Sequence, residues 1–242
     1  MQHDFLELDG ALLVDKPAGP TSHDIVDLVR DHLRIKKVGH CGTLDPAATG
    51  LLILVLGRAT RLSEKLMSDN KTYEGVIEFG ISTDSHDADG KPTERHPVPP
   101  LDLAALNEHS AQFVGDLMQE PPMISAVKQG GVPLYKLARK GKVVERKSRL
   151  IHIFEFQFTR YDEPMAFFRV SCTKGTYVRS LAHDMGKKIG CGAHLNRLRR
   201  TRSGKFDVAN AVEMESIPHL SMDEIRSRVL PFGQLVAMIQ QP

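Results

Sequence analysis

Cysteine is scarce in this chain: Cys41, Cys172 and Cys191 are the only three among 242 residues. None forms a C-x-x-C pair, which argues against a disulfide framework or a zinc site and for a reduced compartment. No apolar run approaches the roughly 20 residues that a membrane-spanning helix needs, so Leu51–Leu56 is predicted as a buried strand and no membrane partner is expected. The opening Met1-Gln2-His3-Asp4-Phe5-Leu6-Glu7 has neither a basic start nor a signal-peptide core, which predicts a cytoplasmic protein. Internal repeats and low-complexity linkers are absent. So are G-x-x-x-x-G-K-[ST], G-x-S-x-G and H-E-x-x-H, which ranks a phosphate-handling or hydrolytic enzyme low. The polar stretch Thr83–Gly90 has some of the look of a calcium loop. Counted from Ser85, however, its twelfth position is His96 rather than Glu, so the metal reading is rejected and no metal is expected.

What is present is an ordinary globular composition, 41% hydrophobic and 26% charged, long enough for one large domain or two small ones with a substantial core. The net charge of +2 conceals an uneven distribution. Lys136, Arg139, Lys140, Lys142, Arg146, Lys147 and Arg149 stand against the single acid Glu145. Lys187, Lys188, Arg197, Arg199, Arg200, Arg202 and Lys205 lie in a stretch with no Asp or Glu, whereas Asp84 to Glu120 leans acidic. Most charge runs are solvated surface, but two dense clusters of one sign on a nearly neutral chain suit a polyanion bound at one face.

Patterning predicts a strand over Ala11–Val14, then a helix capped by Thr21 or Ser22 whose apolar face is Ile25, Val26, Leu28, Val29 and Leu33. A helix near Ala59–Met67 and an alternating strand over Lys71–Gly80 follow the Leu51–Leu56 strand. Leu101–Phe113 reads as a short helix, Ile151–Phe158 and Ala166–Cys172 as strands, and Thr176–Ile189 as a helix ending at Gly190. Arg197–Phe206 reads as a strand and Ser221–Val229 as a last helix with Ser221 as N-cap. The basic segment that Gln119–Ala126 opens, to about Arg149, is polar and weakly periodic, which predicts an insertion that projects from the core. Strands and helices do not alternate regularly, so the fold class is α+β, a mixed and largely antiparallel sheet flanked by helices and loops.

The stretch Gly39-His40-Cys41-Gly42-Thr43-Leu44-Asp45-Pro46-Ala47-Ala48-Thr49-Gly50 is the most informative. It sets one carboxylate, Asp45, on a glycine-rich loop directly before a buried strand, with Pro46 stiffening the turn. A single acid held on a loop by a rigid element suits catalysis better than packing.

These residues resemble the catalytic motif of the TruB family of tRNA pseudouridine synthases, with Cys41 where the family usually has Thr. The resemblance extends to Lys71-Thr72-Tyr73-Glu74, to Lys174-Gly175-Thr176-Tyr177-Val178-Arg179 and to Leu198-Arg199-Arg200-Thr201-Arg202-Ser203-Gly204. It also takes in Gln119-Glu120-Pro121-Pro122 with Ser125-Ala126, Lys128, Gly131, Tyr135 and Ala138-Arg139. It covers most of residues 10 to 206. It implies the pseudouridine synthase fold and isomerisation of uridine 55 in the tRNA T-loop, with a tRNA-folding role alongside. The base flips out, the N1–C1′ bond breaks, and the uracil rejoins through C5. No redox change occurs and no group is lost, so no cofactor is expected.

By the same resemblance Asp45 acts at the sugar, either as nucleophile at C1′ or as base at C2′. Arg179 pairs with it, and Tyr73 stacks on the target base and is placed to move the C5 proton. Tyr177 and Leu198 line the uracil pocket, and His40 fills the space the flipped base leaves. Lys128, Lys136, Arg139, Lys140, Lys142 and Arg146 of the insertion, with Arg199, Arg200 and Arg202, are expected on the RNA backbone, where such contacts position without reading sequence. Read from the residues alone, Tyr73 and Leu198 are ordinary strand and core positions, and Arg179 an ordinary surface arginine. The implied organisation is a catalytic domain over residues 1–230 with an RNA-clamping insertion at about 119–149, then a tail over 231–242 with no complete PUA-type domain. The implied partner is the T-arm of tRNA, bound by a monomer. The competing reading is a non-catalytic RNA-binding or tRNA-folding protein on the same scaffold, in which Asp45 is dispensable.

Overall fold

The computed structural model describes residues 8–123, 125, 128–129, 132–133 and 144–240. In chain order the elements are β1 (Gly10–Lys16), α1 (Ser22–Leu33), β2 (Val38–His40), β3 (Thr49–Leu56), a 3-10 turn (Gly57–Leu62) running into α2 (Ser63–Met67), β4 (Lys71–Phe79), β5 (Ile81–Thr83), β6 (Pro92–Arg95), α3 (Leu103–Ala111) and β7 (Gly115–Gln119). Then come the two-residue strands β8 (Lys128–Gln129) and β9 (Val132–Pro133), followed by β10 (Arg149–Asp162), β11 (Met165–Cys172), α4 (Val178–Ile189), β12 (Ala193–Ser203), β13 (Phe206–Asp207), β14 (Val212–Glu213), α5 (Met222–Arg228), β15 (Leu230–Pro231) and α6 (Phe232–Gln240). The chain forms two compact units, Met1–Tyr73 with Arg199–Pro242, and Glu74–Leu198. It passes between them within β4 and within β12.

The first unit is built around β3. Its residues Leu51–Leu56 are fully buried, and the reason is two-sided packing. Leu52, Leu54 and Leu56 meet Ile25, Val26, Val29 and Leu33 of α1. Leu51, Ile53 and Val55 meet Cys41, Ala59, Leu66, Phe206 and Leu235. Along its length β3 pairs antiparallel with β1, from Gly10↔Leu56 to Lys16↔Gly50. It also pairs antiparallel with β2 and, at Thr49 and Gly50, parallel with β12. β14 adds to β1 in parallel and β15 adds antiparallel. Helix α1 begins with a capping box: Thr21 Oγ1 accepts from Asp24 N at 3.1 Å and the Asp24 carboxylate accepts from Thr21 N at 2.7 Å.

Of residues 231–242, expected as a tail, Phe232–Gln240 form helix α6. Helix α6 buries Leu235 completely, Phe232 N donates to Asp9 O at 3.1 Å, and the Arg58 guanidinium lies 5.5 Å from the Phe232 ring centre. Phe232, Met238 and Ile239 of this helix pack beside Leu235 against the Leu51, Ile53 and Val55 side of β3. β2 was likewise not predicted. It is a three-residue strand whose pairing with β3, rather than its own pattern, creates it.

The second unit has the strand order β4-β11-β10-β7, with β10 antiparallel to both β11 and β7. The long hairpin β10–β11 carries Phe156, Phe158 and Phe168 inward, and Phe79 of β4 joins them at 6.4 Å between ring centres with Phe158. Asn107 of α3 clips onto β10, donating to Phe158 O at 3.1 Å and accepting from Phe158 N at 2.8 Å. Gln119, at the end of β7, makes the same two-point contact with Tyr177, so β7 fixes the start of α4. Gly190 ends α4 in the left-handed conformation, as predicted.

Candidate active site

The first unit carries the loop between β2 and β3. Its backbone is bonded at nearly every turn. Cys41 N donates to Ile53 O at 2.8 Å, Ala48 N to Asp45 O at 3.0 Å, and Gly19 N to Pro46 O at 2.9 Å. The buried Ser22 hydroxyl accepts from Leu44 N at 2.9 Å and donates to Leu44 O at 3.2 Å, immediately before Asp45.

Two buried cations complete the support. Lys16, at 0% exposure, donates to Pro46 O at 2.9 Å, Ala48 O at 2.7 Å and Pro17 O at 2.8 Å. Three ammonium donors meet three carbonyls, two of them in the residues that follow Asp45. Burial lowers the Lys16 pKa to about 8, against the opposing pull of the Asp45 and Asp24 carboxylates. Arg200, at 1% exposure, donates from Nε to Leu51 O at 2.7 Å and from Nη2 to Gly42 O at 3.0 Å, tying the two ends of the loop together. Gly50 has φ 99°, and a Cβ there would lie 2.3 Å from Arg200 O, so only glycine fits this approach.

Arg200 therefore corrects the expectation that placed it on RNA phosphates: its guanidinium is turned inward onto main-chain carbonyls. The basic run that suggested a surface strip is a strand, and alternation sends one of its arginines into the core. Arg199 forms a two-point ion pair with Asp15, at 3.0 and 2.5 Å, and remains partly exposed. Arg202 is half exposed and lies 3.6 Å from Asp207.

His40 ends β2, half buried, and burial followed by the Arg200 charge holds its pKa below the usual histidine value. Cys41 is wholly buried, and burial pushes its thiol up to about 12, so it carries no thiolate at neutral pH. Tyr73 stands half-buried on β4.

In the second unit Arg179 stands in the first turn of α4 and is 4% exposed. Its Nη1 donates to Asp87 Oδ2 at 3.2 Å and to Ser85 O at 3.3 Å. The other Asp87 oxygen accepts from Ser85 Oγ at 2.5 Å and from Asp89 N at 3.2 Å. Thr83 Oγ1 donates to Asp87 O at 2.7 Å, and Ala88 N and His86 O bond to the main chain of Leu195 on either side. The stretch that looked faintly like a calcium loop is thus a frame for one arginine. Tyr177 precedes Arg179 at the N-cap of α4, with the Arg149 guanidinium 5.8 Å from its ring centre. Leu198 is partly exposed on β12.

Arg146 pairs with Glu120 and donates to Pro121 O at 3.2 Å. Lys128 lies on β8, whereas Lys136, Arg139, Lys140 and Lys142 fall outside the described residues. Among the described residues no group of three or more His, Cys, Asp or Glu could hold a metal ion, and no helix is long and apolar enough to cross a membrane. The sequence reading missed Lys16, which lies just beyond the predicted strand, and Asp87, one of several acids in a polar loop.

A solved chain in a Cbf5–Nop10–Gar1 complex has TM-score 0.75 at 27% identity, over 95% of this chain and 62% of that one, so this chain spans about three fifths of that solved chain's length. Its α+β sheet with flanking helices is the pseudouridine synthase fold. The TruB-family pseudouridylate synthase N-terminal domain matches residues 30–178, and the tRNA pseudouridylate synthase B C-terminal domain matches residues 179–237. A tRNA pseudouridine synthase B from Opitutus terrae is 52% identical over 233 residues, 96% of this chain and 97% of that protein. Another from Syntrophotalea carbinolica is 46% identical over 217 residues, 90% of this chain and 71% of that protein. The chain belongs to the TruB family of pseudouridine synthases.

Proposed function

We propose that this chain converts uridine 55 in the T-loop of tRNA to pseudouridine, with Asp45 as the essential acid. The observation that carries the reading is the Asp45 loop: a family-matching carboxylate on a segment whose flanking carbonyls are held by Lys16 and Arg200 and whose neighbour Leu44 is held by Ser22. A group held this firmly is already oriented when substrate arrives. Asp45 acts on the sugar as nucleophile at C1′ or as base at C2′, and either role needs its ionised form. The N1–C1′ bond breaks, the uracil turns, C5 bonds to C1′, and the C5 proton leaves while N1 gains one, so atoms and charge balance.

Arg179 is the cation that the family pairs with this acid, and Asp87 aims it. Tyr73 stacks on the uracil and moves the C5 proton, Tyr177 and Leu198 wall the base, and His40 occupies the space it vacates. Residues 1–230 act as the catalytic domain. The insertion at about 119–149, with Lys128, Lys136, Arg139, Lys140, Lys142 and Arg146, grips the T-arm backbone, helped by Arg199 and Arg202, while specificity comes from loop shape and the unpaired base. The protein acts as a monomer in the cytoplasm, where its substrate is, and flipping the T-loop base assists tRNA folding.

The test is position-resolved pseudouridine mapping on unmodified tRNA with the wild-type protein and Asp45→Asn. Conversion at the T-loop uridine by the wild type alone is expected. The Asn variant should be slower by at least about a thousandfold with affinity within about threefold. Conversion by the variant at the wild-type rate would sink the assignment of Asp45. Tight binding without conversion by either protein would favour an RNA-binding scaffold.

A further inference from the structure

His86 and His183 form a stacked pair in the second unit that the reaction as described leaves unused. Their rings lie 3.9 Å apart at centre and 2° from parallel. Both Nδ1 atoms are buried with no hydrogen-bond partner among the described residues. His86 is a non-glycine residue in the left-handed region, φ 65°, a conformation that histidine tolerates better than most but that still needs outside support.

The placement of the pair gives it a purpose. His183 stands one helical turn after Arg179 on α4, so the two side chains share a face. His86 stands between Ser85 and Asp87, the two residues that receive the Arg179 guanidinium. The loop therefore meets α4 at two adjoining points, a carboxylate on a guanidinium and a ring on a ring. The left-handed turn at His86 is what lets the Ser85 carbonyl and the Asp87 carboxylate converge on Nη1 together. The charged and titratable groups around His86 are His183, Arg179, Arg146 and Asp84. Burial, then the first three of these, hold its pKa down to about 4, so the ring stacks as a neutral imidazole.

We propose that the His86–His183 stack is a positioning element for the reaction: it clamps the Ser85–Asp87 turn to α4 and so fixes the direction in which Arg179 points. The inference rests on the reading of Arg179 as the partner of the catalytic acid.

The test uses single-turnover pseudouridine formation and tRNA affinity for the wild type, His183→Ala, His183→Phe, His86→Asn and Arg179→Lys, with thermal melting to confirm folding. Alanine is a better helix former than histidine, so His183→Ala removes the ring without weakening the helix. Asparagine accepts the left-handed conformation, so His86→Asn removes the other ring without straining the turn. Each should lower the single-turnover rate about tenfold with affinity unchanged within about twofold, since small misplacements of a catalytic group cost rate. His183→Phe restores a ring and should recover the rate to within about threefold. Wild-type rates in both ring-deleted variants, a loss of affinity in place of rate, or a Phe variant as slow as Ala would each overturn the proposal. Arg179→Lys separates the two levels: full activity there removes the reading beneath the inference. An impaired Lys variant beside fully active ring-deleted variants removes the inference alone.

Discussion

The Asp45 loop and the Asp87 loop present carboxylates by opposite means. In the first, buried cations hold the main chain: Lys16 takes Pro17, Pro46 and Ala48 carbonyls and Arg200 takes Gly42 and Leu51 carbonyls. In the second, the carboxylate is itself the fastener, joined to Arg179, Ser85 and the Asp89 amide. A loop held through its carbonyls is fixed by its main chain. A loop held through its carboxylate gives that carboxylate up to aim something else. Two acidic residues on polar loops thus stand in different frames, and the difference follows from which atoms the surrounding cations bind.

Breaking the cation frame of the first loop should have the largest effect on stability. Lys16→Met leaves three carbonyls without their donor, and a loss of about 3 kcal/mol is expected in urea unfolding. A loss under about 1 kcal/mol would mean that the loop is held by its backbone turns alone. Arg200 offers the next contrast. Neutralising Lys128, Lys136, Arg139, Lys140 and Lys142 to Gln should weaken tRNA binding by about tenfold or more and flatten its dependence on salt. Arg200→Gln should destabilise the fold while leaving the salt slope unchanged, because its charge faces carbonyls rather than solvent. Equal slopes for the two variants would return Arg200 to the RNA surface.

The second loop should show itself in acid. The folded-state pKa of His86 is lowered to about 4 from an ordinary 6.5, so the unfolded chain takes up this proton first as pH falls. Its contribution to stability is complete above pH 6.5 and is lost progressively towards pH 4. His86→Asn should flatten the decline in unfolding midpoint across that window, and an unchanged slope would show that other groups set it. The smallest effect is expected at Cys41. Its thiol is buried and held in the protonated form, so Cys41→Thr should cost about 1 kcal/mol from burying a hydroxyl and leave turnover unchanged.

Much of this molecule is legible in the order of its residues. The continuous run Leu51–Leu56 announces a buried strand, Thr21 or Ser22 announces a helix start that the structure assigns to Thr21, and Gly190 announces the end of α4. The family motif around Asp45 points to a candidate acid because a glycine-rich loop, a stiffening proline and one carboxylate form a local pattern. Charge density was a poorer guide. Arg199 and Arg200 are neighbours in one basic run, yet Arg199 sits at the surface on Asp15 and Arg200 is buried under the loop. Composition sees the run, and only strand alternation separates its members.

By itself the sequence determined the elements with strong periodicity, the family and the candidate acid, since each of these is written in neighbouring residues. Tertiary structure decided the rest. It made a strand of Val38–His40, docked the C-terminal helix through Leu235, turned Arg200 inward, gave Lys16 its three carbonyls, and matched Asp87 with Arg179 and His86 with His183. Residues 92 and 97 positions apart in the chain can form such contacts only once packing has brought a loop and a helix face together, and no local pattern records that distance.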